Sequence, residues 1–159
     1  MSAAAVRLSE TTWIRTIEIF GVFARRGVEG GCLWYGDRQM GVVEIIGVPR
    51  QINRERNFEI QSDALAELNL RVPDEVSVLA QLHAHPGRRV RQSRWDDQMI
   101  VSRRIISIVL PHYGRDPVDL GECGIHRVID GRWRCLDAAQ RAESIVWGDT
   151  PTAGVTDLR

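Results

Sequence analysis

Residues 76–96 read VSVLAQLHAHPGRRVRQSRWD, and the architecture follows from where this segment breaks. Positions 76–83 are β-rich and mostly apolar, the pattern of a strand covered on both faces. Pro86-Gly87 and the arginines that follow make a loop over 84–92. Ser93 then opens a helix expected to reach about residue 103, with the serine at the N-cap and Asp96 three positions on. Strand, loop and helix together are the unit of a layered α/β domain. A second apolar run at 105–110 supplies a central neighbour strand.

The rest of the chain fits around that unit. Residues 9–26 carry helical periodicity, with Trp13, Ile17, Phe20 and Ala24 on one face and Gly27 beyond the end. Two strand-like runs, 30–35 and 40–48, flank the turn dipeptide Gly36-Asp37. A short run at 57–60 is a further strand, and a helix capped by Ser62 covers 64–70. Residues 124–129 and 133–136, joined at Asp130-Gly131, read as a hairpin. A last helix spans 137–147. The sequence therefore predicts one α-β-α domain over 9–147, a mixed sheet flanked by helices, between a flexible leader (1–8) and a flexible tail (148–159).

Composition narrows the chemistry. The 159 residues carry 21 basic and 21 acidic side chains, and all 21 basic ones are arginine. Net charge zero gives no field that would draw nucleic acid or an anionic membrane. Without lysine there is no Schiff base, no phosphate-loop lysine and no lysine general base. Cys32, Cys123 and Cys135 are far apart, which argues against a thiolate cluster or disulfide framework, and they read as three small buried hydrophobes. No apolar run suits a signal peptide or a membrane span, so a cytoplasmic protein is expected.

The reactive feature is His83-Ala84-His85. Two of the chain's four histidines sit at i and i+2 on extended backbone, where alternate side chains face the same way. They can grip one metal ion, and Asp96, one turn into the next helix, can add a carboxylate. Two imidazoles and a carboxylate suit zinc and leave a fourth position for water, the pattern of a catalytic site. Such a metal would acidify water and polarise a carbonyl. Ser93-x-x-Asp96 is also an ordinary capping pair, and both readings can hold together.

H-x-H-x(7)-S-x-x-D resembles the signature of the JAMM (JAB1/MPN/Mov34-type, or MPN+) metalloproteases without insertion or deletion. That family also places a glutamate before a Gly-Gly-x-Leu-x-x-Gly stretch, which Glu29 and Gly30-Gly31-Cys32-Leu33-Trp34-Tyr35-Gly36 resemble. On its own, Glu29 would read as an exposed carboxylate after a helix. The resemblance spans roughly residues 10–145 and implies a JAB/MPN, cytidine-deaminase-like fold. It implies His83, His85 and Asp96 as zinc ligands, Glu29 as the general base that holds the attacking water, and Ser93 as a hydrogen-bond donor to the oxyanion.

The implied activity is isopeptidase or peptidase action on a ubiquitin-like protein, at its C-terminal tail or its conjugates. With all five residues present, the inactive scaffold branch is disfavoured. The compact chain is similar to short bacterial JAB proteins, whose operons encode ubiquitin-like modifiers with activating and conjugating enzymes, some serving antiphage defence. Two alternatives stay open: a non-catalytic modifier-binding module, and a metal hydrolase of sulfur-carrier or small amide substrates. Arg88, Arg89, Arg91 and Arg94 read equally as a solvated loop or as an anchor for carboxylates of a partner. Trp34 and Trp95 are expected to pack, and His112 and His126 to be structural or at the surface.

Overall fold

The computed structural model describes residues 4–159. Helix α1 (Glu10–Arg26) starts where the Ser9 side chain accepts the Thr12 N–H, and stops at Gly27, whose φ of 64° turns the chain out of the helix. The chain then enters β2 (Gly31–Gly36), followed by β3 (Ile45–Val48), the small hairpin β4 (Ile52–Asn53) and β5 (Phe58–Glu59), and α2 (Ser62–Asn69). After these come β6 (Ser77–Ala84), α3 (Arg94–Met99), β7 (Ile106–Leu110), β8 (Gly124–Ile129), β9 (Arg132–Cys135) and α4 (Ala138–Ser144). Two end strands, β1 (Val6–Leu8) and β11 (Gly154–Asp157), and β10 (Ile145–Trp147) complete the set.

The main sheet has seven strands in the order β11-β3-β2-β6-β7-β8-β9. β6 runs parallel to β7 and β11 parallel to β3, while the other pairs are antiparallel, so the sheet is mixed as expected. Strand β2 is buried along its whole length because each face meets a different layer. Cys32 and Trp34 join Trp13, Ile17, Phe20 and Phe23 of α1 in one cluster, and Leu33 and Tyr35 join Leu68 of α2 in the other. The Trp34 indole donates to Thr16 Oγ1 at 3.1 Å, which pins α1 to the sheet and makes this tryptophan a core residue. The result is the α-β-α layering expected from the sequence.

Several boundaries differ from the expectation. Val6–Leu8 is no flexible leader: Val6 and Leu8 are buried, and the strand pairs in parallel with β10, which also cuts the last helix short at Ser144. The C-terminal stretch is ordered too. Ala153 N–H donates to Thr12 Oγ1 at 2.9 Å, β11 pairs with β3, and the Arg159 guanidinium lies 5.0 Å over the Phe23 ring. The part of the leader at residues 1–3 lies outside the described residues. The strand expected over 40–48 is confined to β3, because Asp37 Oδ1 accepts the N–H groups of Gln39 and Met40 and holds a wider turn. Ser62 lies inside α2, whose N-cap is Gln61. Cys135 is exposed, while Cys32 and Cys123 are buried.

The largest difference concerns α3, which ends at Met99 and not near residue 103. Gln81, fully buried on β6, donates from Nε2 to Met99 O at 3.2 Å and accepts the Val101 N–H on Oε1 at 2.8 Å. A side-chain amide thus takes the groups the next helical turn would use, and Ile100 goes extended. The hairpin at Asp130-Gly131 forms as read, both residues having positive φ.

Candidate metal centre

His83 and His85 leave the end of β6 on the face away from α1. His83 stands in a row with Gly31 of β2, Val109 of β7 and Gly124 of β8. The backbone ladder continues one residue past the strand, with His85 N–H donating to Leu110 O at 2.8 Å, so the second imidazole is set by sheet geometry as well. His83 is 1% exposed and stacks on the Phe58 ring, with centroids 5.7 Å apart. His85 Nδ1–H donates to Arg89 O at 2.8 Å, which leaves the Nε2 lone pair facing the site. His83 Nδ1 is buried without a hydrogen-bond partner among the described residues.

Asp96 reaches the same point from α3. Its Oδ2 lies 3.1 Å from His85 Nε2 and 3.4 Å from His83 Nε2, and the two imidazole nitrogens are 3.3 Å apart. Three ligands at ~2.0–2.1 Å from one ion in tetrahedral directions would stand about 3.3 Å from one another. The donor set therefore has the spacing of three tetrahedral corners. Two neutral imidazoles cannot hold lone pairs face to face at this distance without a proton or a cation between them. Residue types and spacing both fit a metal ion.

The electrostatics agree. Burial works to raise the Asp96 carboxyl, but hydrogen bonds from both histidines and from the Ser93 N–H outweigh it and hold the group far below the usual carboxylate range. Burial also works against charge on His85, yet Asp96 and the Arg89 carbonyl carry its pKa upward. Both shifts describe a site that calls for positive charge.

Glu29 sits between α1 and β2 and is 4% exposed, so it is not the exposed carboxylate that isolated reading would give. Burial pushes its pKa up to about 7, against the pull of His85 and with a push from Asp96, which places its carboxyl within the field of the cluster. The following glycines are dictated by close approach. A Cβ at Gly30 would stand 2.5 Å from the Phe23 ring, and one at Gly31 2.7 Å from Phe58 and 2.8 Å from Leu82 O.

Ser93 caps α3. Its Oγ accepts the Asp96 N–H at 3.1 Å and so keeps its own proton free to donate. Arg88, Arg89, Arg91 and Arg94 are exposed on the loop and helix start, and among the described residues none of them makes an ion pair. Trp95 is 45% exposed, so it does not pack as expected. His112 is exposed. His126 is 3% exposed on β8; its Nε2 accepts the Gln92 N–H at 3.5 Å, and burial with His83 nearby pushes its pKa down to about 4.

The sequence reading missed the supports of the site: Gln81, Phe58 and the β4–β5 hairpin. Gln81 left a usable signal, since it is polar at an interior position of an apolar strand, two residues before His83 and on the same face. Phe58 left none.

No family model matches the chain. It is 29% identical over 143 residues to the probable metalloprotease y4jG of Sinorhizobium fredii (strain NBRC 101917 / NGR234), covering 84% of this chain and 80% of the relative. A solved structure of a Desulfitobacterium hafniense protein is similar in fold, with a TM-score of 0.63 and 15% identity over 91% of this chain and 94% of that one. A JAB1/MPN domain protein from Archaeoglobus fulgidus aligns at a TM-score of 0.49 and 14% identity, covering 96% and 100% of the two chains. The resemblance to JAMM metalloproteases thus rests on a relative that is a probable metalloprotease and on a His-His-Asp cluster with metal-ligand spacing.

Proposed function

We propose that the chain is a metal-dependent hydrolase of amide bonds, with zinc as its metal, that releases ubiquitin-like proteins from conjugates or trims their C-terminal extensions. The observation that carries the hydrolase reading is the triangle of His83, His85 and Asp96 donor atoms at 3.1–3.4 Å, with the buried carboxyl of Glu29 in its field. Two imidazoles and one carboxylate suit zinc and leave room for a reacting group.

A zinc ion held there would acidify a water molecule and polarise the scissile carbonyl. The rest is done by side chains. Glu29, whose proton affinity burial brings near neutrality, takes the proton of the attacking water and passes it to the leaving amine. Ser93, with its hydroxyl proton free, donates to the oxyanion. His85 is held in one tautomer by Arg89 O, and the Asp96 carboxylate is kept ionised by its hydrogen bonds.

Support for the substrate class comes from the JAMM-like motif and from four exposed arginines beside the site, which suit a tail ending in carboxylate or a partner with acidic side chains. On this reading the chain works with modifier-activating and modifier-conjugating enzymes in a bacterial antiphage system. No helix among the described residues is long and apolar enough to cross a membrane.

The test is cleavage of a panel of ubiquitin-like proteins carrying a C-terminal amide-linked reporter. Stoichiometric zinc, turnover lost on chelation and turnover lost in Glu29→Ala are expected. Full-rate cleavage by Glu29→Ala would overturn the mechanism. Metal-free protein that binds a modifier without cleaving it would favour a binding module.

A further inference from the structure

Glu29 lies on a connection outside the backbone ladder, yet both of its own backbone groups are held by one segment, residues 53–54. Glu29 N–H donates to Arg54 O at 2.8 Å, and Asn53 Nδ2 donates to Glu29 O at 3.0 Å. Two residues on, the Gln51 carboxamide serves both groups of Gly31: Oε1 accepts the Gly31 N–H at 2.8 Å and Nε2 donates to Gly31 O at 2.9 Å. Asn53 Nδ2 also donates to Gln51 Oε1 at 2.9 Å, which joins the two amides into one unit.

The location explains the need. β3 pairs with β2 only across Leu33–Tyr35, and the chain leaves the sheet at Pro49. Gly31 therefore has a strand on its β6 side and none on the other. Gln51 fills that vacancy as a neighbouring peptide group would, and it does so two residues from the general base. The same hairpin also reaches the metal cluster. Asn53, which holds Glu29 O, is the cross-strand partner of Phe58, which stacks on His83. One pair of opposed hairpin residues thus touches the base on one side and a ligand on the other.

We infer that Gln51 and Asn53 are positioning residues, which fix Glu29 relative to the ligand His83 through the β4–β5 hairpin. The inference rests on the reading of Glu29 as general base. Displacing a catalytic group by about 1 Å can cost ~100-fold in rate without loss of binding.

The experiment compares wild type with Gln51→Ala, Asn53→Ala and Glu29→Ala, with Gln51→Glu as the conservative variant that keeps the acceptor for Gly31 N–H. Amide hydrogen exchange, zinc content and steady-state cleavage of the amide-linked reporter are read on each. The alanine variants are expected to keep stoichiometric zinc and to lower kcat roughly 10- to 100-fold with KM nearly unchanged, and Gln51→Ala should speed exchange at Gly31 while β6 and β7 stay protected. Gln51→Glu should recover part of the Gly31 protection. The visible absorption of cobalt-substituted Asn53→Ala should move towards that of cobalt-substituted Glu29→Ala.

Unchanged kcat and an unchanged cobalt spectrum, with the Gly31 amide exposed, would overturn the inference. Exchange rising across the whole sheet together with metal loss would also overturn it, by showing a merely structural role. Should the wild type itself cleave nothing, the functional reading fails separately, and the cobalt spectra and exchange still decide whether the two amides fix Glu29.

Discussion

Ser93 and Asp96 hold each other reciprocally: the Ser93 N–H donates to Asp96 Oδ2 at 2.7 Å while the Asp96 N–H donates to Ser93 Oγ at 3.1 Å. The oxygen that faces both histidines is thus also the oxygen fixed by the helix cap. Ser93→Ala removes only the second bond. It should cost about 1 kcal/mol in stability, read by denaturant titration, and leave metal affinity close to that of wild type. Cleavage should fall by ~100-fold or more, because the hydroxyl donor to the oxyanion is lost. A rate loss no larger than the stability change explains would remove Ser93 from the mechanism.

Metal removal has a thermodynamic signature. An ion that binds the folded chain alone stabilises it by about 2.7 kcal/mol at a hundredfold excess over Kd. Zinc should raise Tm, chelation should lower it, and His85→Ala and Asp96→Ala should abolish the response. His83→Ala should lose the response and also destabilise the metal-free protein, since its 1% exposed ring is packed on Phe58. A zinc-independent Tm would contradict the assignment.

Glu29 gives a pH test without substrate. Its folded pKa of about 7 lies above the ordinary 4.5, so between those values the folded state keeps a proton that the unfolded state has released. Stability of the metal-free protein should therefore fall as pH rises from about 4.5 to about 7. Glu29→Gln should lack that component, so the difference between the two Tm curves should grow across the window. A constant difference would mean that Glu29 titrates normally. Bound zinc should shrink the effect by favouring the carboxylate.

The paired glycines give a steric test. Gly31→Ala forces a Cβ against Phe58 and Leu82 O and should cost roughly 1–3 kcal/mol, while Gly121→Ala, with open space at its Cβ, should be nearly neutral. Thermal unfolding of the two variants side by side measures the contrast.

The His-His-Asp cluster and the layered fold were legible because their signals are local. His83 and His85 are two residues apart, Asp96 lies at a capping position, and the apolar run of β2 and the periodicity of α1 span single elements. What was missed depends on partners distant in sequence. The strand at Val6–Leu8 exists because residues 145–147 lie beside it, and β11 because β3 offers an edge. The end of α3 is set by Gln81, 18 to 20 residues upstream. The β4–β5 hairpin has strands of two residues, too short for any period to emerge, yet it supports both Glu29 and His83.

Helix α3 has six residues, fewer than two turns, and such a segment does not hold itself in water. Its start is tied to the cluster through Asp96 and its end to Gln81, and an ion held by His83, His85 and Asp96 would strengthen the first of these tethers. The stretch leading into it carries Arg88, Arg89, Arg91 and Arg94, all exposed and each a bond that trypsin recognises. Metal occupancy should therefore be written into proteolytic sensitivity: the chelated protein is expected to be nicked within 88–94 before any other region, and zinc to protect it.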